Sequence, residues 1–347
     1  MTAVATEIAR APAHGRAGRL AALVLLLGAA AVTGVALGSS SMTLDRLLPA
    51  LVGQGAETDR LIVWGLRAPR VLLSALAGMA LALAGLLLQR ATRNPLAAPT
   101  VLGISDGAAL GAVGFLFLFS DSANSLTVSI YWQPVAAAVG AAVFAVLVAV
   151  LARGAGGGPV GLVLHGFALG ALAKAGVTLL MIVGPVYRAS QASIWLAGSV
   201  HEARWSDVVV LASLMALILP VLLILTARMD QLLVDDSSAE ASGLPVRRTQ
   251  ALLIALAVVL TASAVSFVGA IGFVGLVAPH AARLLVGTRA LPAIAASALV
   301  GAAMVVLADI VVRLAFAPLE VPTGAATALI GAPYFLFILF RTGRAHA

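Results

Sequence analysis

Cysteine is missing from the 347 residues, and lysine occurs once. The first absence leaves no disulfides and no thiolate metal sites. The second is as restrictive: Lys174 is followed by Ala175, so the phosphate-cradling loop G-x-x-x-x-G-K-[ST] of a nucleotide-driven motor does not occur. The zinc-hydrolase signature H-E-x-x-H is absent too, and the five histidines, at 14, 165, 201, 280 and 346, are scattered. Charge is sparse, at 10% of residues against roughly 25% in a soluble domain. With 62% hydrophobic residues and a mean hydropathy of +1.10, the chain lacks the polar side chains to cover itself in water. The net charge of +7 does not point to nucleic acid, because all but one of the 21 basic residues are arginines set between apolar runs.

What is present is a series of apolar runs long enough to cross a bilayer, which takes about 20 residues at 1.5 Å rise. Eight are clear: Leu20–Leu37, Val71–Leu88, Trp132–Leu151, Val160–Val183, Val208–Thr226, Ala251–Ala270, Leu291–Val312 and Gly324–Phe340. Two more, Val101–Phe119 and Gly272–Val286, contain Gly, Pro or single polar residues; the second reads as a short span broken at Pro279. The fold class is an all-α polytopic membrane protein with about ten transmembrane helices. The first run exceeds the roughly 7–15 residues of a signal-peptide core, so it reads as a retained span. Residues 1–19 and 341–347 read as short tails on one membrane domain, 20–340, with no soluble domain appended.

An even number of spans puts both termini on one side. Placing them in the cytoplasm gives thirteen arginines inside and seven outside, as the positive-inside rule expects. Arg67 and Arg70 lie outside, against that trend. Pro69 fits a first helical turn, where its missing N–H costs nothing. Both cations then sit at a helix N-terminus, which the macrodipole disfavours by about 0.3–1 kcal/mol each. An acidic docking partner offsets both penalties. On the inside, the loop Ala227–Gln250 carries Asp230, Asp235, Asp236 and Glu240 with Gly243 and Pro245, and reads as a structured loop of short helices. The carboxylates in or at the edge of spans, Asp106 and Asp309, read as structural anchors rather than an ion relay. Asp309 has Arg313 at i+4, the spacing of a local ion pair. Trp132, Trp195 and Trp205 fall near span ends, where indoles anchor at the membrane interface. With neither relay nor motor, a channel or a permease driven by a separate motor remains.

The order of motifs narrows this. The run Arg67-Ala-Pro-Arg70, then Ala84-Gly85, Gln89, Arg93-Asn-Pro-Leu-Ala97, Pro99, Leu102-Gly103 and Gly107-Ala108 opens the series. It continues with Trp195-Leu-Ala-Gly-Ser199, Gly269-Ala-Ile-Gly-Phe-Val-Gly-Leu276, Pro279-His280, Arg283, Ala308-Asp309, Pro322-Thr-Gly324 and Gly331-Ala-Pro333. Over about Val63 to Phe340 the chain resembles the FecCD permeases, the membrane subunits of ATP-binding-cassette importers for iron-siderophores, haem and cobalamin. The resemblance implies ten helices per subunit, a second permease (identical or paralogous) and two cytoplasmic ATPases that carry the ATP and Mg. It further implies an external solute-binding protein, a bacterial cytoplasmic membrane, and no cofactor on this chain. Gln191-Ala-Ser-Ile-Trp-Leu-Ala-Gly-Ser199 with Trp205 is most similar to siderophore permeases, so a ferric siderophore is the expected solute, with haem or cobalamin as alternatives. A stand-alone carrier or channel is the distant alternative.

Carried onto this sequence, the family's ATPase contact falls on Met229–Arg248, with Leu233, Asp235, Asp236, Ala239, Glu240, Gly243, Leu244 and Pro245 as coupling residues. Arg67, Arg70 and Arg313 are the expected docking arginines for the binding protein. Candidates for path and gate are Asn94, Pro95, Lys174, Gly272, Gly275, Pro279 and His280. Asn94-Pro95 also reads as a helix stop, and His280 as a satisfied structural histidine. Gly269, Gly272 and Gly275, spaced by three, would share a helix face for close packing or a hinge. Lys174 lies deep in its span, where an ionisable residue usually faces a polar cavity. Two readings of it stay open: contact with an anionic ferric chelate, or snorkelling and pairing with a backbone carbonyl.

Overall fold

The computed structural model describes residues 13–38, 42–121, 125–154, 159–184, 186–317, 319 and 321–343. Among the described residues seven helices are long and apolar enough to span a membrane, and three shorter apolar helices join them. In chain order the helices are α1 Ala13–Ala36, α2 Leu44–Leu51, α3 Glu57–Arg60, α4 Ala68–Thr92, α5 Ile104–Leu118, α6 Gln133–Gly154, α7 Pro159–Val183 and α8 Val186–Ala197. They continue with α9 Trp205–Ile224, α10 Thr226–Gln231, α11 Asp236–Ala241, α12 Val246–Val268, α13 Val274–Val286, α14 Ala290–Ala315 and α15 Thr323–Gly343. The ten expected spans correspond to α1, α4–α7, α9 and α12–α15. Short helices α2, α3, α8, α10 and α11 fall in the connecting loops. Helix α1 starts at Ala13, so Arg16 and Arg19 lie on it. Residues 1–12 and 344–347 of the expected tails, with Arg10 and Arg344, lie outside the described residues.

Burial grades the spans, with α12 at 44% between the extremes. In α4 and α14 most of the apolar window is covered by protein (78% and 67%), whereas α1, α6, α7 and α9 are covered by 11–28%. The first pair is the hub; the others present apolar faces to lipid or to a partner. Close packing at the hub rests on missing side chains. A Cβ at Gly78 would lie 2.2 Å from the Gly301 carbonyl oxygen of α14. One at Gly85 would lie 1.7 Å from the Gly275 oxygen of α13, so backbones touch where only glycine fits. Pro279 has no N–H to give to the Gly275 carbonyl four residues back.

Two expectations are corrected here. Pro279 does not break its span: α13 runs through it from Val274 to Val286. Nor do Gly269, Gly272 and Gly275 share a helical face. The chain leaves the helix after Val268, and Phe273 takes a left-handed φ of +66° before α13 starts. Sequence spacing assumed a continuous helix that the Gly269 turn (φ +67°) interrupts.

One element had no signal in the apolar pattern. Leu61–Arg67 forms a π-helical stretch that leads into α4. In that register Ala68 bonds back to the Val63 carbonyl, and the next donor would be Pro69, which has none. The Trp64 oxygen left over accepts from the indole of Trp205 at 2.7 Å, while the two rings stack with centroids 6.1 Å apart. Trp205 is thus tied to the π-helical approach to α4. Trp195 is partly buried and packs against the core.

Candidate functional sites at the two ends of the bundle

At one end, three arginines converge on the last turn of α1 and on one carboxylate. Arg67, only 5% exposed, donates from one nitrogen to the carbonyls of Val35 (2.9 Å) and Ala36 (2.7 Å). Arg313 donates to Gly34 at 2.6 Å. These carbonyls close α1 and have no helical donor of their own, so cations are favoured there. Arg70 grips Asp309 with Nε (3.0 Å) and NH2 (2.7 Å), and its NH1 lies 3.0 Å from His201 Nδ1. Thr323 adds a hydroxyl donor to Asp309 at 3.2 Å. The carboxylate is 1% exposed.

This overturns the expected Asp309–Arg313 pair. Among the described residues the ion-pair partner of Asp309 is Arg70, 239 positions away, because the planar fork meets the carboxylate in a bidentate grip. The helix-terminus penalty on Arg67 and Arg70 is accordingly offset inside the chain. As placed, Arg67 does not offer its guanidinium to a soluble partner.

At the opposite end, the loop between α9 and α12 folds into α10 and α11. Asp235 caps α11, accepting from the Ser238 N–H (3.0 Å), the Ser238 hydroxyl (2.7 Å) and the Ser237 hydroxyl. The Ser237 hydroxyl bond, followed by those from Ser238, holds the Asp235 carboxyl well below the usual carboxylate range. Asp236 pairs with Arg93 at 2.8 Å, and Arg93 Nε donates to the Leu232 carbonyl at 3.1 Å. Asp230 accepts from the Ala290 N–H at 2.7 Å, at the start of α14. Arg90 donates to the carbonyls of Thr288 and Met229. Met229, Leu232, Ala239 and Leu244 are buried beneath, while Leu233, Val234, Glu240, Gly243 and Pro245 face out.

In the sequence Arg90 counted only toward orientation, and Arg93 also opened one of the family motifs; here they fasten this loop to α4 and to the α13–α14 turn. Their signal was position, at the last turn of a span beside Asn94-Pro95. Asn94 makes a side-chain turn, its Oδ1 accepting from the Leu96 N–H at 2.9 Å. That geometry is the helix stop read for Asn94-Pro95.

The remaining path candidates do not converge. Gly275 is packed against Pro99 and the Leu81 carbonyl, whereas Gly272 borders open space. His280 meets Tyr334 of α15 edge-on, with ring centroids 6.0 Å apart. Lys174 pairs with Asp106 at 3.6 Å, so its partner is neither a bare carbonyl nor water alone. Among the described residues no group of three or more His, Asp or Glu could hold a metal ion.

Three of the sequence motifs meet in one joint. Ser199 N–H bonds to the Val268 carbonyl (2.8 Å) and Gly324 N–H to the Gly198 carbonyl (2.9 Å). A Cβ on Gly269 would strike the Trp195 oxygen at 2.2 Å, and one on Gly324 the Ala197 oxygen at 2.0 Å. Here α8, the α12–α13 turn and the start of α15 touch backbone to backbone.

Residues 23–341 match the FecCD transport family. The chain belongs to that family. It is 44% identical over 290 residues to the "Probable siderophore transport system permease protein YfhA" of Bacillus subtilis (strain 168), covering 84% of each chain. It is 43% identical over 284 residues to the cobalamin import system permease protein BtuC of Halobacterium salinarum, covering 82% of this chain and 74% of that one. A solved metal-chelate type ABC transporter in an inward-facing conformation superposes with a TM-score of 0.80 at 29% identity, over 94% of this chain and 99% of that one. As a FecCD permease the chain is a membrane-embedded transport subunit. Nearly equal identity to a siderophore and a cobalamin relative leaves its solute to be argued from its own residues.

Proposed function

We propose that this permease passes a ferric siderophore, received from an external solute-binding protein, across a bacterial cytoplasmic membrane. Two copies, or one copy and a paralogue, enclose the path, and two separate ATPase subunits bind ATP and Mg and supply the stroke. In this reading both termini and the α10–α11 loop are cytoplasmic, and the Arg70 end is external. The observation that carries it is the α10–α11 loop, clamped to α4, the α13–α14 turn and the start of α14 by Arg90, Arg93 and Asp230 while Leu233, Val234 and Glu240 stay exposed. A clamped loop with a free outer face transmits a push to the bundle hub, where a solvated loop would absorb it. At the other end, acidic groups of the binding protein draw Arg70 and Arg313 outward, and Arg67 holds α1 in place beneath them. Haem and cobalamin are the alternative solutes.

Co-purification and transport test this. The complex should retain an ATPase chain and accumulate ferric chelates in proteoliposomes only with ATP and the binding protein. Accumulation by this chain alone, down a gradient and without an ATPase, would instead establish a carrier or channel.

A further inference from the structure

Lys174 is the chain's only lysine, and it stands far from either end of its span. It lies nine residues from Val183 and fifteen from Pro159, about 14 Å and 22 Å along α7. Its side chain is 73% exposed, on a helix of which only 22% of the apolar window is covered. An ammonium at that depth is too costly to leave against lipid, so the face of α7 that carries it borders water or protein.

The partner is built to stay put. Asp106 lies in the first turn of α5, where unpaired N–H groups favour a carboxylate. Its Oδ2 rests over Gly170 of α7, 2.6 Å from where a Cβ would be, so the glycine makes its seat. Gly103, with φ +69°, likewise brings the start of α5 against Gly166 and Gly170. Helix α5 therefore begins beside the middle of α7, a half-helix whose positive end lies within the membrane. Asp106 is 20% exposed against 73% for Lys174. The carboxylate is the inner, seated member of the pair, and the ammonium is the outer one.

At 3.6 Å the contact is longer than the 2.7–2.9 Å or so of a tight charge-assisted bond, and an ammonium carries three donors. Donors therefore remain for an incoming acceptor. We infer that Lys174, backed by Asp106, is a charge-selecting site on the solute path, and that it takes anionic ferric chelates with uncoordinated carboxylates. Asp106 competes with the solute for the ammonium, which keeps binding weak enough for the solute to leave. This rests on the importer reading above, which names the solute only as a ferric chelate.

The absence of cysteine makes the test direct, since Lys174→Cys gives the chain a single thiol. In the assembled complex, K174C should react with membrane-impermeant charged methanethiosulfonates, read by the mass of this chain. Its ATP-driven uptake of ferric citrate should fall by about tenfold, roughly one lost charge-assisted contact. Uptake of a neutral ferric trihydroxamate should change by less than about twofold on the same scale. Modification with the aminoethyl reagent should restore citrate uptake, and the sulfonatoethyl reagent should not. An inert K174C overturns the inference whatever the solute is, because the residue then faces no aqueous path. Equal losses for both chelates, with no charge-specific rescue, also overturn it by assigning the pair a purely structural role. Failure of the importer reading looks different: the unmodified complex would then accumulate neither chelate with ATP, while the labelling arm still decides whether Lys174 meets water.

Discussion

The Arg70 end and the Arg93 end of the bundle are both marked by arginines, and they use them in opposite ways. At the first, guanidinium groups turn inward, onto the closing carbonyls of α1 and a carboxylate with 1% exposure. At the second, they reach across a turn to clamp a loop whose outer face stays in solvent. A count of charges does not separate holding from offering. What separates them is whether an orphan helix terminus or a buried carboxylate lies within reach.

The largest expected effect follows from the buried pair. Arg70→Ala leaves Asp309 in the core with Thr323 as its remaining side-chain partner. Breaking such a pair costs about 3–5 kcal/mol. Thermal unfolding of the purified complex should show a marked loss, and Arg70→Ala with Asp309→Ala should lose less than the two single changes added together. Asp309→Asn keeps an acceptor for Arg70 but removes its competing charge. If the protein still folds, this variant should dock the binding protein more tightly at low salt, with the gain fading as salt rises. An Arg70→Ala protein as stable as the parent would break the contrast, because the buried pair would then not be holding this end together.

An intermediate effect is expected at the other end, and it should appear in transport rather than stability. Arg93 and Asp236 are 32% and 59% exposed, so their pair contributes no more than about 1 kcal/mol. Arg93→Glu should barely shift thermal unfolding, yet lower ATP-driven uptake several-fold as the clamp on α11 is lost. Combining it with Asp236→Arg should restore uptake. Equal uptake by the single variant and the parent would mean that the loop needs no clamp to transmit the stroke.

The ten spans were legible because each apolar run is set by local composition, and the lipid boundary imposes its length. The acidic loop was legible as structured for the same local reason. Partnerships were not. Arg70 with Asp309 and Lys174 with Asp106 are separated by 239 and 68 positions, and the i+4 spacing of Arg313 offered a nearer but mistaken match. The π-helical approach to α4 was hidden too, since it depends on Pro69 withholding a donor and on Trp205 arriving from a distant helix. Spacing rules such as glycine every third residue also assume the helix they are meant to detect, and Gly269 ends that helix.

The smallest effect concerns Asp235, and it tests the charge contrast most finely. Its carboxyl is depressed by hydroxyl and amide donors from Ser237 and Ser238 of the same loop, so the charge serves the α11 cap. A depressed carboxyl stabilises fully above its unfolded value, near 4, and that contribution is lost only as pH falls through the lower folded value. Hydrogen exchange at the Ser238 amide should therefore be protected to the same degree from pH 7 to about pH 4, after correction for intrinsic rates. Asp235→Asn, which can still cap, should preserve both protection and uptake, since Asn and Asp are near equals at this position. Asp235→Lys should lose both, because it removes the acceptor and sets a cation at the start of α11. If Asp235→Asn instead abolished uptake with the Ser238 amide still protected, the carboxylate itself would be contacting the ATPase. The charge at this end would then be offered to a partner, and the clamp would account for only part of the coupling.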